Sequence, residues 1–407
     1  MNDNQPVVYA GVDTHQDVHV AVVVDTTGGQ LACRSFPTSP LGLARLEHWL
    51  AGHGRVARVG VEGTGSYGLG LQRVLTRAGH AVVEVNRPNR QLRRARGKSD
   101  PVDALAAAQA AMPGHATSIP KSHDGPVEAI RVLRAAARST REQMTRLEAQ
   151  IHHLAVTAPD AIRTDLLPRT SRQRAARAAG YRLTGDPAEP ATATKTALRT
   201  LARQWQHLNT DHHDLTTQLR HLTAQVNPAL LALPGVGPDV AAALLVAAGD
   251  NPERIHSSAA FAALCGVNPI DASSGKTSGH RLNRGGNRAA NAALHRILLV
   301  RMSHRHPATM AYLARRTADG KPKRAAMRCL KRYLAREIYQ TLLHPEPVIT
   351  GDELRQKRQA LGLPLRAAAQ ACHRPITAIA RLETGIVHDT DLADRYQKWL
   401  DTAAPAS

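Results

Sequence analysis

The 407-residue sequence has only four cysteines, and they lie far apart. Cys33, Cys265, Cys329 and Cys372 show neither the paired spacing of a zinc site nor the dense, even pattern of a disulfide framework. The cysteine content therefore predicts a protein of a reducing compartment, and it gives no indication of thiol chemistry.

Long apolar runs are also missing. No stretch is long enough to cross a bilayer, and the first residues lack the charged start and apolar core of a signal peptide. We therefore expect a cytoplasmic protein that has no membrane partner.

Acidic residues are few, because 33 Asp and Glu stand against 53 Lys and Arg, a formal net charge of +20. A field of this sign attracts a polyanion and steers its approach, so we expect DNA or RNA as a partner and association with the nucleoid. The length predicts two to four domains, each long enough to bury a core.

The order of elements predicts an α/β ribonuclease H-like domain at residues 1–120. Three β-branched runs within 7–36, separated by turns such as TTGGQ, predict an antiparallel meander. Helices and strands then alternate up to the helix that begins at Pro101, which predicts parallel strands covered by helices.

The rest of the chain is predicted to be mainly helical. Residues 121–226 carry apolar positions three and four apart and a loop around TGDPAEPATATK, which favours a coiled-coil dimerisation arm, although an intramolecular hairpin would cover the stripe equally well. Residues 227–345 form a mainly α-helical domain, and the segment HPEPVITG separates it from a small all-α domain at 350–403.

Four of the scarce acids occupy unusual positions. Asp13 interrupts the first strand, Glu62 ends the strand VARVGVE, and Asp100 and Asp103 open an Ala-rich helix, where i and i+3 share a face. Buried carboxylates are costly without a partner, and a divalent metal, Mg²⁺ or Mn²⁺, is a natural one that also acts on phosphate oxygens. The four acids predict metal-assisted cutting or joining of nucleic acid.

The acids also have plainer interpretations. Asp100 as N-cap, followed by a proline and an acid in the first turn, is an ordinary helix start. Asp17 and Asp25 are interpreted as turn or surface residues, and His15 as a candidate auxiliary beside the site.

The sequence GTGSYG at 63–68, followed by Glu84, fits a dinucleotide-binding fingerprint. The preceding meander, the basic charge and the lack of a substrate domain with acid–base histidines argue against that function. We expect these glycines to let the backbone turn tightly beside Glu62.

Two motifs between residues 233 and 296 predict phosphate contacts. Gly235 and Gly237 in LPGVGP resemble a helix-hairpin-helix turn, although a plain turn between helices would look the same. In CGVNPIDASSGKTSGHRLNRGGNRAANAALHR, a serine among cations could attack phosphorus, although a phosphate-binding loop without chemistry would have the same composition. The candidate nucleophiles are Ser274 and Ser273. The candidate phosphate-binding residues are Lys276, Arg281, Arg284 and Arg288.

The tail resembles a repressor-type helix-turn-helix. Its recognition helix would span residues 374–381, with Thr377 and Arg381 facing a DNA groove and Gln370 nearby. The alternative is a small helical bundle for protein contacts. The predicted core residues are Leu354, Leu361, Leu365, Ala368, Ile379 and Leu382.

The Asp, Glu, Asp-Pro-x-Asp set resembles the RuvC-like DEDD domain of the IS110 family of insertion-sequence transposases. The segment from LPGVGP to LNRGGNR resembles that family's C-terminal transposase domain, so the resemblance covers about residues 7–343. It implies that the serine of the SSG motif, Ser274 or else Ser273, forms a transient phosphoserine link to DNA. It implies Mg²⁺ on four ligands, Asp13, Glu62, Asp100 and Asp103.

The resemblance further implies a homo-oligomer, dimer or tetramer, with a composite site built from different protomers. Donor and target DNA would be the substrates, and a structured guide RNA would pair with both. The prediction is therefore a DNA transposase or recombinase that needs no ATP. The alternatives are a RuvC-like nuclease that uses water and a non-enzymatic helix-turn-helix regulator.

Overall fold

The computed structural model describes residues 5–85, 99–113, 118–273, 275, 279–387 and 389–403. The chain divides into two compact units, Met1–His123 with Asn251–His256, and Asp124–Asp250 with Ser257–Ser407. The segment Asn251–His256 falls within the predicted third domain but belongs to the first unit. Over these described ranges, no helix has the length and apolar character needed to span a membrane.

The first unit is built on one mixed sheet. Its strands run in the order β3-β2-β1-β4-β5, with β2 antiparallel to both of its neighbours and with β1, β4 and β5 mutually parallel. The predicted meander and the predicted parallel strands are both confirmed. The elements are β1 (Val7–Thr14), β2 (Val18–Val24), β3 (Gln30–Pro37), α1 (Pro40–Ala51), β4 (Arg55–Val61), α2 (Leu69–Arg77), β5 (Val82–Glu84) and α3 (Asp100–Ala111).

Helices cover both faces of this sheet. On one face, Leu46 of α1 and Leu71 of α2 pack with Val12 of β1. On the other face, Ala104 of α3 packs with Val20 of β2. Because successive strand residues point to opposite faces, the residue after Val12 belongs to the face that α3 covers.

The second unit begins with a helical arm. The arm consists of α4 (Pro126–Val156), α5 (Asp160–Leu166), α6 (Ser171–Ala179) and α7 (Pro190–Val226). The apolar stripe of α4, including Met144 and Ile151, packs with Leu198 and Trp205 of α7 in the same chain. The intramolecular hairpin is therefore the arrangement observed, and dimerisation through the arm stays a prediction.

The next part of this unit is helical apart from one short hairpin. Its elements are α8 (Pro228–Ala232), α9 (Pro238–Ala248), α10 (Ser258–Leu264), β6 (Pro269–Asp271), β7 (His280–Leu282), α11 (Arg288–Ser303), α12 (Pro307–Ala318) and α13 (Lys323–Leu343). Strands β6 and β7 pair antiparallel.

Four C-terminal helices share a hydrophobic core of their own. They are α14 (Gly351–Ala360), α15 (Leu365–Ala371), α16 (Ile376–Glu383) and α17 (Thr390–Thr402). Of the predicted core residues, Leu354, Ala368, Ile379 and Leu382 are buried, and Leu361 and Leu365 are partly buried against them. We call these helices the C-terminal bundle.

Candidate functional site

Two paired glycines set the position of α3 on the sheet. Gly11 of β1 and Gly60 of β4 are direct neighbours in the parallel register. A Cβ atom added at Gly11 would lie 1.9 Å from the backbone nitrogen of Ala108, and one added at Gly60 would lie 2.3 Å from the carbonyl oxygen of Ala107. Only glycine therefore allows the backbone of α3 to approach this closely.

Each of these glycines lies two residues before a predicted acid, in Gly-Val-Asp at 11–13 and Gly-Val-Glu at 60–62. The triplets end at the same edge of the sheet, since Val12 pairs with Val61. The same edge receives the first turn of α3, which carries Asp100 and Asp103. The four predicted acids thus lie on three elements that converge.

Asp13 is the buried member of the group, with only 6% of its surface exposed. Burial raises the pKa of this carboxyl above its ordinary value; His15 opposes the rise, whereas the charges of Asp103 and Asp100 add to it. A carboxylate in this environment is better suited to a bound cation than to isolation.

His15 joins two of the carboxylates. Its Nε2 lies 3.0 Å from Oδ2 of Asp13 and 3.4 Å from Oδ1 of Asp100. One possible ligand atom from each of these three residues lies within 4.8 Å of the others. We name Asp13, His15 and Asp100 the acidic triad. The sequence suggested His15 only as an auxiliary.

The structure places the other two predicted acids next to the triad. Asp103 is 5% exposed and close enough to Asp13 to act on its pKa through its charge. The backbone amide of Glu62 donates to the carbonyl of Val12, 3.2 Å away, and the hydroxyl of Thr14 donates to the carbonyl of Glu62, 2.7 Å away. The backbone of Glu62 is thus fixed beside the end of β1.

The structure contradicts the plainer interpretation of Asp100 but agrees with those of Asp25 and of the glycines after Glu62. The N-cap of α3 is Ser99, which makes no side-chain capping bond, and Asp100 is already helical, so the proposed N-cap role of Asp100 is wrong. Asp25 accepts the amides of Thr27 and Gly29 and is a turn residue, as predicted. Gly63, with a φ of +69°, opens a tight turn directly after Glu62, which is the role expected of the glycines there.

In the second unit, the LPGVGP motif forms the predicted turn between α8 and α9. Gly235 has a φ of +83°, and the amide of Val236 donates to the carbonyl of Leu233. The buried Arg301 donates to the carbonyl of Pro234, 2.7 Å away, and to both carboxylate oxygens of Glu337. Gly237 is the N-cap of α9, and a Cβ atom added to it would point into open space.

The SSG motif lies between β6 and β7. Ser274 and Lys276 are outside the described residues, whereas Ser273 is described, and its Oγ accepts the amide of Gly279 at 3.3 Å. Three of the predicted cations, Arg281, Arg284 and Arg288, are exposed on β7, on the following loop and at the start of α11.

Two glycines join the base of this hairpin to its surroundings. Gly266 and Gly286 both have positive φ, and a Cβ at Gly286 would lie 2.6 Å from the backbone nitrogen of Gly266. Asn291 donates to the carbonyls of Cys265 and Gly266, and it accepts from Nζ of Lys331 at 3.0 Å. Hydrogen bonds from Asn291 therefore fix the backbone at the base of the hairpin.

The predicted contact residues of the tail lie on the surface of the C-terminal bundle. Thr377 and Arg381 are exposed and one helical turn apart on α16, and Gln370 is exposed on α15. Beneath them, the buried Glu383 pairs with Arg358 and accepts the hydroxyl of Tyr396 at 2.5 Å.

Two protein-family models match the chain, one over the predicted acids and one over the glycine turn and the SSG loop. A model described as a DEDD transposase of the IS110 type matches residues 10–158, which include all four predicted acids. A second, described as the transposase IS116/IS110/IS902 family, matches residues 227–314, which include the LPGVGP turn and the SSG loop. The chain belongs to the IS110 family of transposases.

An IS110-family transposase is a DNA transposition enzyme that cleaves and rejoins DNA, and its DEDD domain uses a divalent metal. Both family models end before the C-terminal bundle, at residue 314 or earlier. A search of curated proteins found no significant match.

Gly11 and Gly60 were not predicted from the sequence as parts of the site. The repeated Gly-Val-acid triplet was the signal that could have revealed them, because it predicts two strands that present a glycine and an acid to the same helix.

Proposed function

We propose that this transposase cuts and rejoins DNA by Mg²⁺-assisted serine transesterification. The acidic triad carries the proposal, because it joins potential ligands from β1, from His15 just after β1 and from α3, at the edge where β4 ends before Glu62. A ribonuclease H-like fold is part of the proposal, and the sheet order β3-β2-β1-β4-β5 with antiparallel β2 supports it.

The residues suit a hard divalent cation. Carboxylate oxygens are the ligands that Mg²⁺ and Mn²⁺ prefer, and the buried Asp13 lies among acids that raise its pKa. Asp13, Glu62, Asp100 and Asp103 would hold the ion, with His15 orienting Asp13 and Asp100. When bound, the metal would polarise the scissile phosphate and stabilise charge on its oxygens.

Ser274 is the proposed nucleophile, with Ser273 as the fallback. The serine Oγ forms a bond to phosphorus, the bond from phosphorus to one DNA oxygen breaks, and the serine proton is transferred to a base while the DNA hydroxyl leaves protonated. Attack of a DNA hydroxyl on the phosphoserine reverses these steps and frees the serine. One phosphoester replaces another, so no ATP is needed.

The charged residues around the loop have a supporting role. Arg281, Arg284 and Arg288 would clamp the phosphate oxygens, and the backbone turn at Gly235 and Gly237 would contact the DNA backbone without reading its sequence. Lys276 is proposed to act with the arginines. As kinship with the family implies, the site would be composite within a dimer or tetramer, and a structured RNA would guide it.

The C-terminal bundle is proposed to be a helix-turn-helix that contacts DNA through α16. The exposed positions of Thr377 and Arg381 on one helix support this. The Arg381→Ala variant should lose affinity and relax sequence preference in a binding-site selection. If Arg381→Ala selected the same DNA sequences as the wild type, a bundle that binds protein would be favoured.

The central experiment detects the covalent intermediate. The protein is incubated with DNA carrying the element's ends, Mg²⁺ and RNA transcribed from the element's flanks, and protein–DNA adducts are separated under denaturing conditions. We expect an adduct that Ser274→Ala abolishes and that Asp13→Ala also abolishes.

Each alternative predicts a different result. If Ser274→Ala and Ser273→Ala both still form the adduct, the nucleophile is assigned wrongly. Cutting that continues without joining in Ser274→Ala would favour a hydrolytic nuclease. Removal of residues 350–407 should leave cutting intact, whereas a regulator would show no cutting at all.

A further inference from the structure

The chain is poor in aromatic residues, with two Phe, three Trp and seven Tyr in 407 residues. All twelve lie within the described residues, and two have more than half of their surface exposed, Tyr67 at 57% and Tyr333 at 58%. Tyr67 belongs to the turn that follows Glu62, beside the acidic triad. Tyr333 lies on α13, which follows the last residue that either family model matches.

Tyr333 has an aromatic neighbour and a cation beside it. Its ring centroid lies 5.4 Å from that of Tyr312 on α12, with the two planes at 62°. The guanidinium carbon of Arg315 lies 5.4 Å from the centroid of the Tyr312 ring. We name Tyr312, Arg315 and Tyr333 the tyrosine platform.

The segment that carries the platform is strongly basic in sequence. Residues 307–343 contain nine Lys and Arg but only two acids, Asp319 and Glu337. Both acids already have partners, since Asp319 pairs with Arg316 and Glu337 pairs with Arg301. The net positive charge of this segment therefore suits an anionic occupant.

A role in the core does not account for Tyr333. Tyr339, less than two turns further along the same helix, is 8% exposed and packs at 6.1 Å from Phe261, as core aromatics do. Tyr333 instead leaves 58% of its surface in solvent, and that exposed part gains no free energy from burial.

We propose that the tyrosine platform stacks an unpaired base of a single-stranded nucleic acid, while the surrounding cations hold the flanking phosphates. Every nucleobase has a flat face that an aromatic ring or a guanidinium can cover, and stacking of this kind tolerates any sequence. Bases inside a duplex already cover one another's faces, so a duplex offers the platform only its phosphates. The site goes beyond the proposed function, because it binds a strand and reacts with none.

The test measures binding to the full-length protein. Labelled oligouridylate, oligothymidylate and a duplex, each of about 12 nucleotides, are titrated by fluorescence anisotropy at fixed salt. We expect Tyr333→Leu to weaken binding of the single strands about 5- to 100-fold and to leave duplex binding nearly unchanged. The matched control Tyr333→Phe keeps the ring and should bind as the wild type does.

An abasic oligonucleotide tests whether the wild-type protein contacts the base itself. It keeps the phosphates but has no base to stack, so it should bind more weakly than the intact strand, and Tyr333→Leu should not weaken it further. A preference for the RNA strand would identify the occupant as RNA, and a preference for the DNA strand would identify it as a DNA strand.

Two results would overturn the proposal. One is equal affinity of the wild type for abasic and intact strands. The other is a change in oligomeric mass in Tyr333→Leu, measured by sedimentation, with unchanged affinity for single strands, since the platform would then be a contact between copies of the chain. The adduct experiment is independent of both, so the two proposals can fail separately.

Discussion

Nε2 of His15 lies 3.0 Å from Oδ2 of Asp13, two residues earlier in the chain. Asp13 lies in β1 and His15 directly after its last residue, and both side chains reach the first turn of α3. There the ring nitrogen also comes within 3.4 Å of Asp100. A half-exposed histidine thus connects a buried carboxylate to an exposed one.

Removing His15 should weaken the proposed metal site without destroying it. In His15→Ala, Asp13 and Asp100 lose the group that orients them, and we expect metal affinity to fall about 10- to 100-fold. The measurement is strand cleavage as a function of Mg²⁺ concentration. His48→Ala, on the exposed face of α1, is the matched control. An unchanged titration midpoint in His15→Ala would contradict a positioning role.

Neutralising Asp13 should raise the stability of the metal-free protein and abolish its activity. Burial and two nearby acids raise the pKa of Asp13, so its charge costs the metal-free fold free energy. We expect Asp13→Asn to raise the Tm measured with EDTA by about 2–4 °C, the effect of about 1 kcal/mol, while abolishing cleavage.

The same variant should lose its response to metal. A ligand at 100 times its Kd stabilises a folded protein by about 2.7 kcal/mol, so the wild type should gain Tm on addition of Mg²⁺ or Mn²⁺. Asp13→Asn should gain little. An equal gain in both proteins would show that the stabilising ion binds elsewhere.

Much of the first unit could be predicted from the sequence, because the sequence signals of its strands and turns are local. The β-branched runs of β1 and β2 and the glycine turn between β2 and β3 specify a meander without reference to the rest of the chain. The partner of α4 could not be predicted in this way. A stripe such as Met144 and Ile151 is covered equally well by α7 or by a second chain, and only the tertiary structure distinguishes the two.

The site was predicted only in part, for a related reason. Asp13 and Glu62 could be identified because each stands out at the end of an apolar strand. The pairing of Gly11 with Gly60 depends on a register between strands almost fifty residues apart, which no local pattern specifies. His15 was undervalued because an isolated histidine beside an acid has no meaning until the helix that carries Asp100 is in place.

The C-terminal bundle should depend on one buried ion pair. Arg358→Met would leave the carboxylate of Glu383, 5% exposed, without its cation, and should destabilise the bundle by about 3–5 kcal/mol. Tyr396→Phe removes one hydrogen bond to the Glu383 carboxylate and should cost about 1.5–3 kcal/mol. Hydrogen exchange of peptides from residues 351–402 measures both.

Arg355→Met is the control for this pair, because the ion pair of Arg355 with Asp352 is exposed and should contribute less than about 1 kcal/mol. If the bundle were equally protected from hydrogen exchange in Arg355→Met and Arg358→Met, groups other than Arg358 would be compensating the charge of Glu383. DNA cleavage should be unaffected in either variant.

A methyl group at Gly60 should displace α3 and so weaken the proposed metal site, although Gly60 is not itself a ligand. In Gly60→Ala the new methyl group would meet the carbonyl oxygen of Ala107 at 2.3 Å, and because that atom is backbone, α3 itself must move. We expect a loss of about 2–3 kcal/mol in stability and a weaker response to metal, since α3 carries Asp100 and Asp103. Gly70→Ala on α2, whose methyl group would lie 3.4 Å from a side-chain carbon of Leu43, should be tolerated. If Gly60→Ala kept the wild-type thermal shift with Mg²⁺, the close approach of α3 would not be what positions the acids.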